Sequence, residues 1–162
     1  MSRAEELLSP EIRARIDRWV AKYPPERKQS AVMAALRIVQ EEHGWLSNEL
    51  MDAVADYLDM PPVSVYEVAT FYSMYDLEPV GRHKICVCTN ISCMLRGAED
   101  VVRHLEERLG IKMGETTPDG RFTLKEVECL AACGGAPMFQ IGKRYYENLT
   151  PEKIDAILDS LD

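Results

Sequence analysis

Four cysteines in two short loops could do chemistry in this chain: Cys88-Thr89-Asn90-Ile91-Ser92-Cys93 and Cys129-Leu130-Ala131-Ala132-Cys133-Gly134-Gly135-Ala136-Pro137. Each loop lies where a segment rich in strand formers ends, so the spacing predicts four thiols converging at one end of a sheet. Thiolates are the usual ligands of iron–sulfur clusters, and four of them complete a 2Fe–2S or 4Fe–4S site. Gly134 and Gly135 would let backbone approach a cluster closely or take positive φ. Backbone N–H groups near both loops could point at the sulfurs.

Three other readings of the same residues stay open at this point. Structural zinc also takes four thiolates, although zinc ribbons favour two-residue spacers that neither pair has. A redox dithiol uses Cys-x-x-Cys at a helix start, which is absent here. Buried, unligated cysteine is the third. Cys86, two residues before Cys88 on a strand, reads as a small buried residue rather than a ligand. His43, His83 and His104 are isolated and lie in neither loop, which speaks against a Rieske-type centre. The methionines read as packing residues.

The elements that must position these thiols can be read from periodicity and punctuation. Ser9-Pro10-Glu11 starts a helix carrying Ile12, Ile16, Trp19 and Val20, stopped at Tyr23-Pro24-Pro25. A second helix is expected from about Glu26 to His43, with Val32, Leu36 and Val39 as its stripe and Gly44 at its end. Ser47 caps a third helix with Leu50, Val54, Tyr57 and Leu58. Pro61-Pro62 breaks it before a short fourth helix with Val65, Val68, Ala69 and Tyr72. After a connector at 76–81 the pattern changes. Ile85–Cys88 is a strand, 97–109 a helix, Asp119-Gly120 a turn, and Phe122–Cys129 a second strand whose imperfect alternation suggests a bulge. Met138–Ile141 and Arg144–Tyr146 flank the hairpin signal Gly142-Lys143. Thr150-Pro151-Glu152 caps a last helix. The reading is α+β: a helical N-terminal bundle at 1–80 including the connector, then a thioredoxin-like α/β domain at 81–162.

Composition bounds the rest. The chain has 162 residues, 46% of them hydrophobic, and a net charge of −8. That balance opposes non-specific nucleic-acid binding, including a helix-turn-helix reading of the N-terminal helices. No apolar run is long enough for a membrane span. The acidic N-terminus, Met1-Ser2-Arg3-Ala4-Glu5-Glu6, resembles neither a secretory signal nor a transit peptide, so a reducing cytoplasmic setting is expected, where clustered cysteines are metal ligands or redox groups. No phosphate-binding glycine loop and no Ser/His/Asp arrangement occurs, so no complete active site is expected on this chain alone.

The chain resembles the thioredoxin-like 2Fe–2S subunit family of NADH:quinone oxidoreductase, respiratory complex I. The resemblance is carried by Val68-Ala69-Thr70-Phe71-Tyr72-Ser73-Met74-Tyr75, by Cys88–Cys93 with Met94-Leu95-Arg96, by Gly114–Gly120 with Phe122-Thr123-Leu124, and by Glu128–Cys133 with Ala136-Pro137-Met138. It implies one 2Fe–2S cluster on Cys88, Cys93, Cys129 and Cys133. It also implies a partner subunit that binds NADH and FMN, other subunits of the same peripheral arm, and a place at the inner membrane through the complex rather than by insertion. The cluster would exchange electrons with that flavin from one side of the main electron path. The same module serves NAD-linked formate dehydrogenases and NAD-reducing hydrogenases. There are two departures: Ala131 or Ala132 occupies a position where many relatives have Gly, which makes the loop slightly less permissive, and Cys86 is not part of the usual pattern. A cis bond at Ala136–Pro137 is expected from the thioredoxin-like pattern. Reduction would add a negative charge to an acidic chain, so a potential sensitive to a basic partner surface is expected.

Overall fold

The computed structural model describes residues 6–161, so all but the last residue of the Met1–Glu6 stretch, expected to be neither a secretory signal nor a transit peptide, lies outside the described residues. The chain forms two compact units, Met1–Pro79 and Val80–Asp162.

In the first unit, helix α1 spans Pro10–Val20, and the Ser9 hydroxyl accepts from the Ile12 N–H at 3.2 Å. The expected helix at 26–43 is instead two pieces. Pro25–Ala31 is a 3-10 segment interrupted at Arg27 (φ −118°, ψ 28°), and α2 begins only at Val32 and runs to His43. The reason is burial: of Pro25–Ala31 only Ala31 is buried, so nothing holds that stretch in α geometry, whereas the stripe from Val32 onward packs into the core. Gly44 ends α2 at φ 84°. Ser47 caps α3, Asn48–Leu58, and Pro62 starts α4, Pro62–Phe71. The chain then turns back on α2. Tyr75 is buried and donates its hydroxyl to the Met33 carbonyl at 2.8 Å, and burial pushes its phenol up to about 12. Gln40 clasps the same segment, accepting from the Asp76 N–H and donating to the Met74 carbonyl.

In the second unit, β1 is His83–Cys88, α5 is Ile91–Leu95, α6 is Ala98–Leu109 and β2 is Phe122–Val127. Strands β3, Phe139–Ile141, and β4, Arg144–Tyr146, form the hairpin, and α7 is Pro151–Asp159. The sheet order is β2-β1-β3-β4, with β1 parallel to β2 and the other two pairs antiparallel. Register puts Ile85, Leu124 and Ile141 side by side on one face, and Val87 beside Phe139. Val101 and Leu105 of α6 and Ile154 and Leu158 of α7 bury against that face. Lys84, Cys86 and Cys88 therefore occupy the other face. The helical bundle followed by this α/β domain is the α+β architecture expected. Among the described residues no helix is long and apolar enough to cross a membrane.

Strand β2 differs from expectation in two ways. It stops at Val127 rather than Cys129, because its last partner on β1 is Cys88, after which that strand turns into α5. It also has no bulge: six residues pair one for one. The broken alternation comes from Thr123, which is buried on the opposite face by hydrogen bonds to the Gly81 N–H and the Thr116 hydroxyl, both 2.7 Å. The backbone of Gly81 runs so close to Phe122 that a Cβ there would lie 2.9 Å from the Phe122 carbonyl carbon. A backbone obstacle cannot rotate away. Gly81→Ala is therefore expected to destabilise this unit by about 1–3 kcal/mol, read as a thermal transition lowered by about 4 °C or more; an unchanged transition would contradict the close approach.

Candidate metal centre

Cys88 is the last residue of β1, and its buried side chain lies on the sheet face away from α6 and α7. The chain then turns sharply. The Thr89 hydroxyl donates to Glu126 at 2.6 Å, and the extended Asn90 accepts the Ile91 N–H on its side chain at 2.7 Å. That cap starts α5, a helix not expected from the sequence; five residues are too few for a hydrophobic period, and the Asn90 cap is its local signal. One turn of helix brings Cys93 inward, 2% exposed, while Ile91 and Leu95 face out at 66% and 75%. The thiols of Cys88 and Cys93 are thereby placed in contact.

The second loop begins two residues past β2. Ala131 donates its N–H to the Cys129 sulfur at 3.3 Å, and Cys133 opens a single 3-10 turn, Cys133–Gly135. Cys129 and Cys133 are exposed. The loops interlock: Leu130 and Ala132 of the second pack against the small cluster formed by Cys88, Cys93, Ala98, Ala136 and Met138. The Glu128 carbonyl lies 4.0 Å from the Cys88 sulfur. All four thiols thus belong to one end of the sheet. The Ala136–Pro137 bond is cis, as expected.

Positive φ falls at Ala131 (57°) and at neither Gly134 nor Gly135. Gly135 serves the other glycine role: a Cβ there would lie 2.1 Å from Glu147 Oε1 and 2.7 Å from its Cβ. Residues 147–149 brace the second loop, because the Asn148 N–H donates to the Gly135 carbonyl at 2.7 Å and Leu149 to that of Pro137. Nothing in the local pattern marks Glu147, which lies far along the chain beyond a hairpin.

Cys86 is half-buried in mid-strand opposite Lys125 and Gln140, outside the small apolar cluster around Cys88 and Cys93. His83 stacks near Phe122, His104 bonds Asp155 at 2.9 Å, and His43 ends α2 in the helical unit; none belongs to the thiol loops. Among the described residues no three His, Cys, Asp or Glu side chains gather around one point as a single-ion site requires. Two adjacent loops offer four thiols, with the Ala131 N–H beside the Cys129 sulfur, and thiolates are the donors that 2Fe–2S clusters take.

Burial, then contact with Cys88, pushes the Cys93 thiol up to about 11 from an ordinary value of 9.0. The folded state therefore keeps this proton where the unfolded chain releases it. The metal-free protein should lose stability as pH rises from about 9 to 11, seen as a falling thermal midpoint; a flat profile for wild type relative to Cys93→Ser would refute this. Ala131→Gly should stabilise the metal-free fold by about 1 kcal/mol by removing the left-handed penalty. Gly135→Ala should destabilise it and lower iron retention, whereas Gly134→Ala, with open space around its Cα, should do neither; equal effects would show that Glu147 does not press on this turn.

Residues 16–162 match the thioredoxin-like 2Fe-2S ferredoxin family. A relative from Rickettsia bellii, the E subunit of its NADH-quinone oxidoreductase, is 50% identical over 143 residues, covering 88% of this chain and 86% of its own. The second E subunit of NADH-quinone oxidoreductase in Rhizobium meliloti is 49% identical over 149 residues, covering 92% and 88%. Among solved structures, an NAD+-reducing NiFe-hydrogenase in its air-oxidized state superposes with a TM-score of 0.69 at 23% identity, over 79% of this chain and 22% of that one, a likeness of fold. Family match, identity over nearly the whole chain and two interlocked cysteine loops agree: this chain belongs to the thioredoxin-like 2Fe-2S ferredoxin family.

Proposed function

We propose that this chain is the iron–sulfur subunit of an NADH-quinone oxidoreductase, that Cys88, Cys93, Cys129 and Cys133 hold its 2Fe–2S cluster, and that it exchanges electrons with FMN on an NADH-binding partner subunit. The observation that carries the reading is the interlock of the two cysteine loops at one sheet end, in a chain about half identical to E subunits of that enzyme. A bound 2Fe–2S cluster supplies one-electron chemistry.

The chain's own residues have three tasks. Cys88 and Cys93, buried between β1, α5 and the second loop, provide a water-poor anchoring side. Cys129 and Cys133 are exposed and face the exterior, which suits electron passage to a partner. The Ala131 N–H stabilises negative charge on the Cys129 sulfur. The chain offers no nucleotide-binding loop, so hydride chemistry belongs to the partner. Through that partner the subunit would sit on the cytoplasmic side of the inner membrane without entering it. The hydrogenase likeness keeps a related NAD-linked complex as the second reading, with the same chemistry in this chain.

The purified protein should contain about two irons and two labile sulfides per chain, with visible absorbance that bleaches on reduction. Alanine at Cys88, Cys93, Cys129 or Cys133 should abolish that absorbance, and Cys86→Ala should preserve it. A colourless protein with one zinc, or loss of colour in Cys86→Ala alone, would overturn the assignment.

A further inference from the structure

The motif Val68–Tyr75 has no part in the metal centre, yet with Val63 it builds the most exposed apolar surface among the described residues of the helical unit. The inner face of α4 buries Val65 and Ala69, while Val63, Glu67 and Phe71 follow one another every four residues along its outer face. Val63 is 60% exposed, Phe71 79% and Met74 46%. Phe71 meets Tyr72 edge-on at 5.0 Å, and Tyr72 meets Tyr75 in the same way at 6.5 Å. Tyr75 is itself fixed by burial and its bond to Met33. The exposed rings are therefore held in place by the fold, so little conformational entropy would be lost when they are covered. Aromatic and methionine side chains are the residue types enriched in interface cores.

The charge around this patch specifies what covers it. Between Arg37 and Arg82 there are nine Asp or Glu and no Lys or Arg; Glu41 and Asp59 are paired with Arg15, Arg37 and Lys28, so the acids that bear on the patch are those along α4 and after it. Glu67 lies within the apolar stripe and Glu78 just beyond it, both exposed. A second copy would bring the same acids face to face across a two-fold axis, which is repulsive. Anionic lipid would be repelled for the same reason. The complementary surface is an apolar pocket rimmed by Lys and Arg.

Building on the function proposed above, we infer that Val63, Phe71, Tyr72 and Met74, with Glu67 and Glu78, form a docking surface for a basic-rimmed apolar pocket on the flavin-binding partner subunit. The cluster-loaded full chain, titrated against the purified flavin-binding subunit of its own complex, tests this. Phe71→Asp should weaken binding at least about ten-fold, and Phe71→Leu should stay within a few-fold of wild type. Glu67→Lys with Glu78→Lys should weaken binding and flatten its salt dependence. Cluster absorbance and thermal midpoint should be unchanged in all three. Binding by Phe71→Asp equal to wild type overturns the inference and leaves the function intact. So does a homodimer of wild type that Phe71→Asp dissolves while partner binding persists. A cluster-loaded wild type that does not bind the flavin subunit overturns both the surface and the partner.

Discussion

The second unit depends on one constraint, the parallel pairing of β1 with β2 up to Cys88 and Val127. A parallel pair ends with both chains leaving the same edge of the sheet. The loop after β1 and the loop after β2 are therefore forced to emerge side by side, although about forty residues of sequence separate them. Each loop contributes a cysteine pair to that edge. Antiparallel strands would have sent the pairs to opposite ends. The chemistry of the site follows from strand direction before any side-chain detail is considered.

Once brought together, the loops are held by different means. The first is stiffened from within, by the Asn90 cap and the single turn of α5. The second has no regular element beyond one 3-10 turn, and it borrows rigidity from elsewhere: Leu130 and Ala132 insert against the first loop, and residues 147–149 brace it from behind. The strain at Ala131 is consistent with this division, since a non-glycine residue keeps a left-handed φ only where its surroundings impose it. Here the imposed geometry has a local use, because it aims the Ala131 N–H at the Cys129 sulfur.

Much of this was legible in the sequence. Caps at Ser9, Ser47 and Thr150 bracketed helices that form where those residues place them, because a side-chain oxygen beside an unsatisfied N–H acts locally. The exit of both cysteine loops from one edge of the sheet was legible because strand ends and turn signals flank both pairs. What escaped depended on tertiary contact. The break at Arg27 reflects where burial begins, Thr123 is buried by partners outside its strand, and Glu147 reaches Gly135 across a hairpin. The glycine pair does have a special role, but that role is close approach at Gly135, and the positive φ falls on an alanine instead.

Charge links the two units without reference to their arrangement. An electron added to a 2Fe–2S centre adds negative charge to a chain already at −8. Burial of Cys88 and Cys93 makes that addition costlier, since low-dielectric surroundings disfavour charge, and N–H donors such as that of Ala131 offset only part of it. A basic partner surface would supply more of that compensation. Glu67 and Glu78, exposed beside the aromatic patch, ask the same of a partner for an independent reason, because a basic surface covers them without repulsion. A single basic partner would satisfy both requirements. Docking would then be thermodynamically coupled to reduction, the partner binding the reduced form more tightly than the oxidised form and raising the potential by the same free energy.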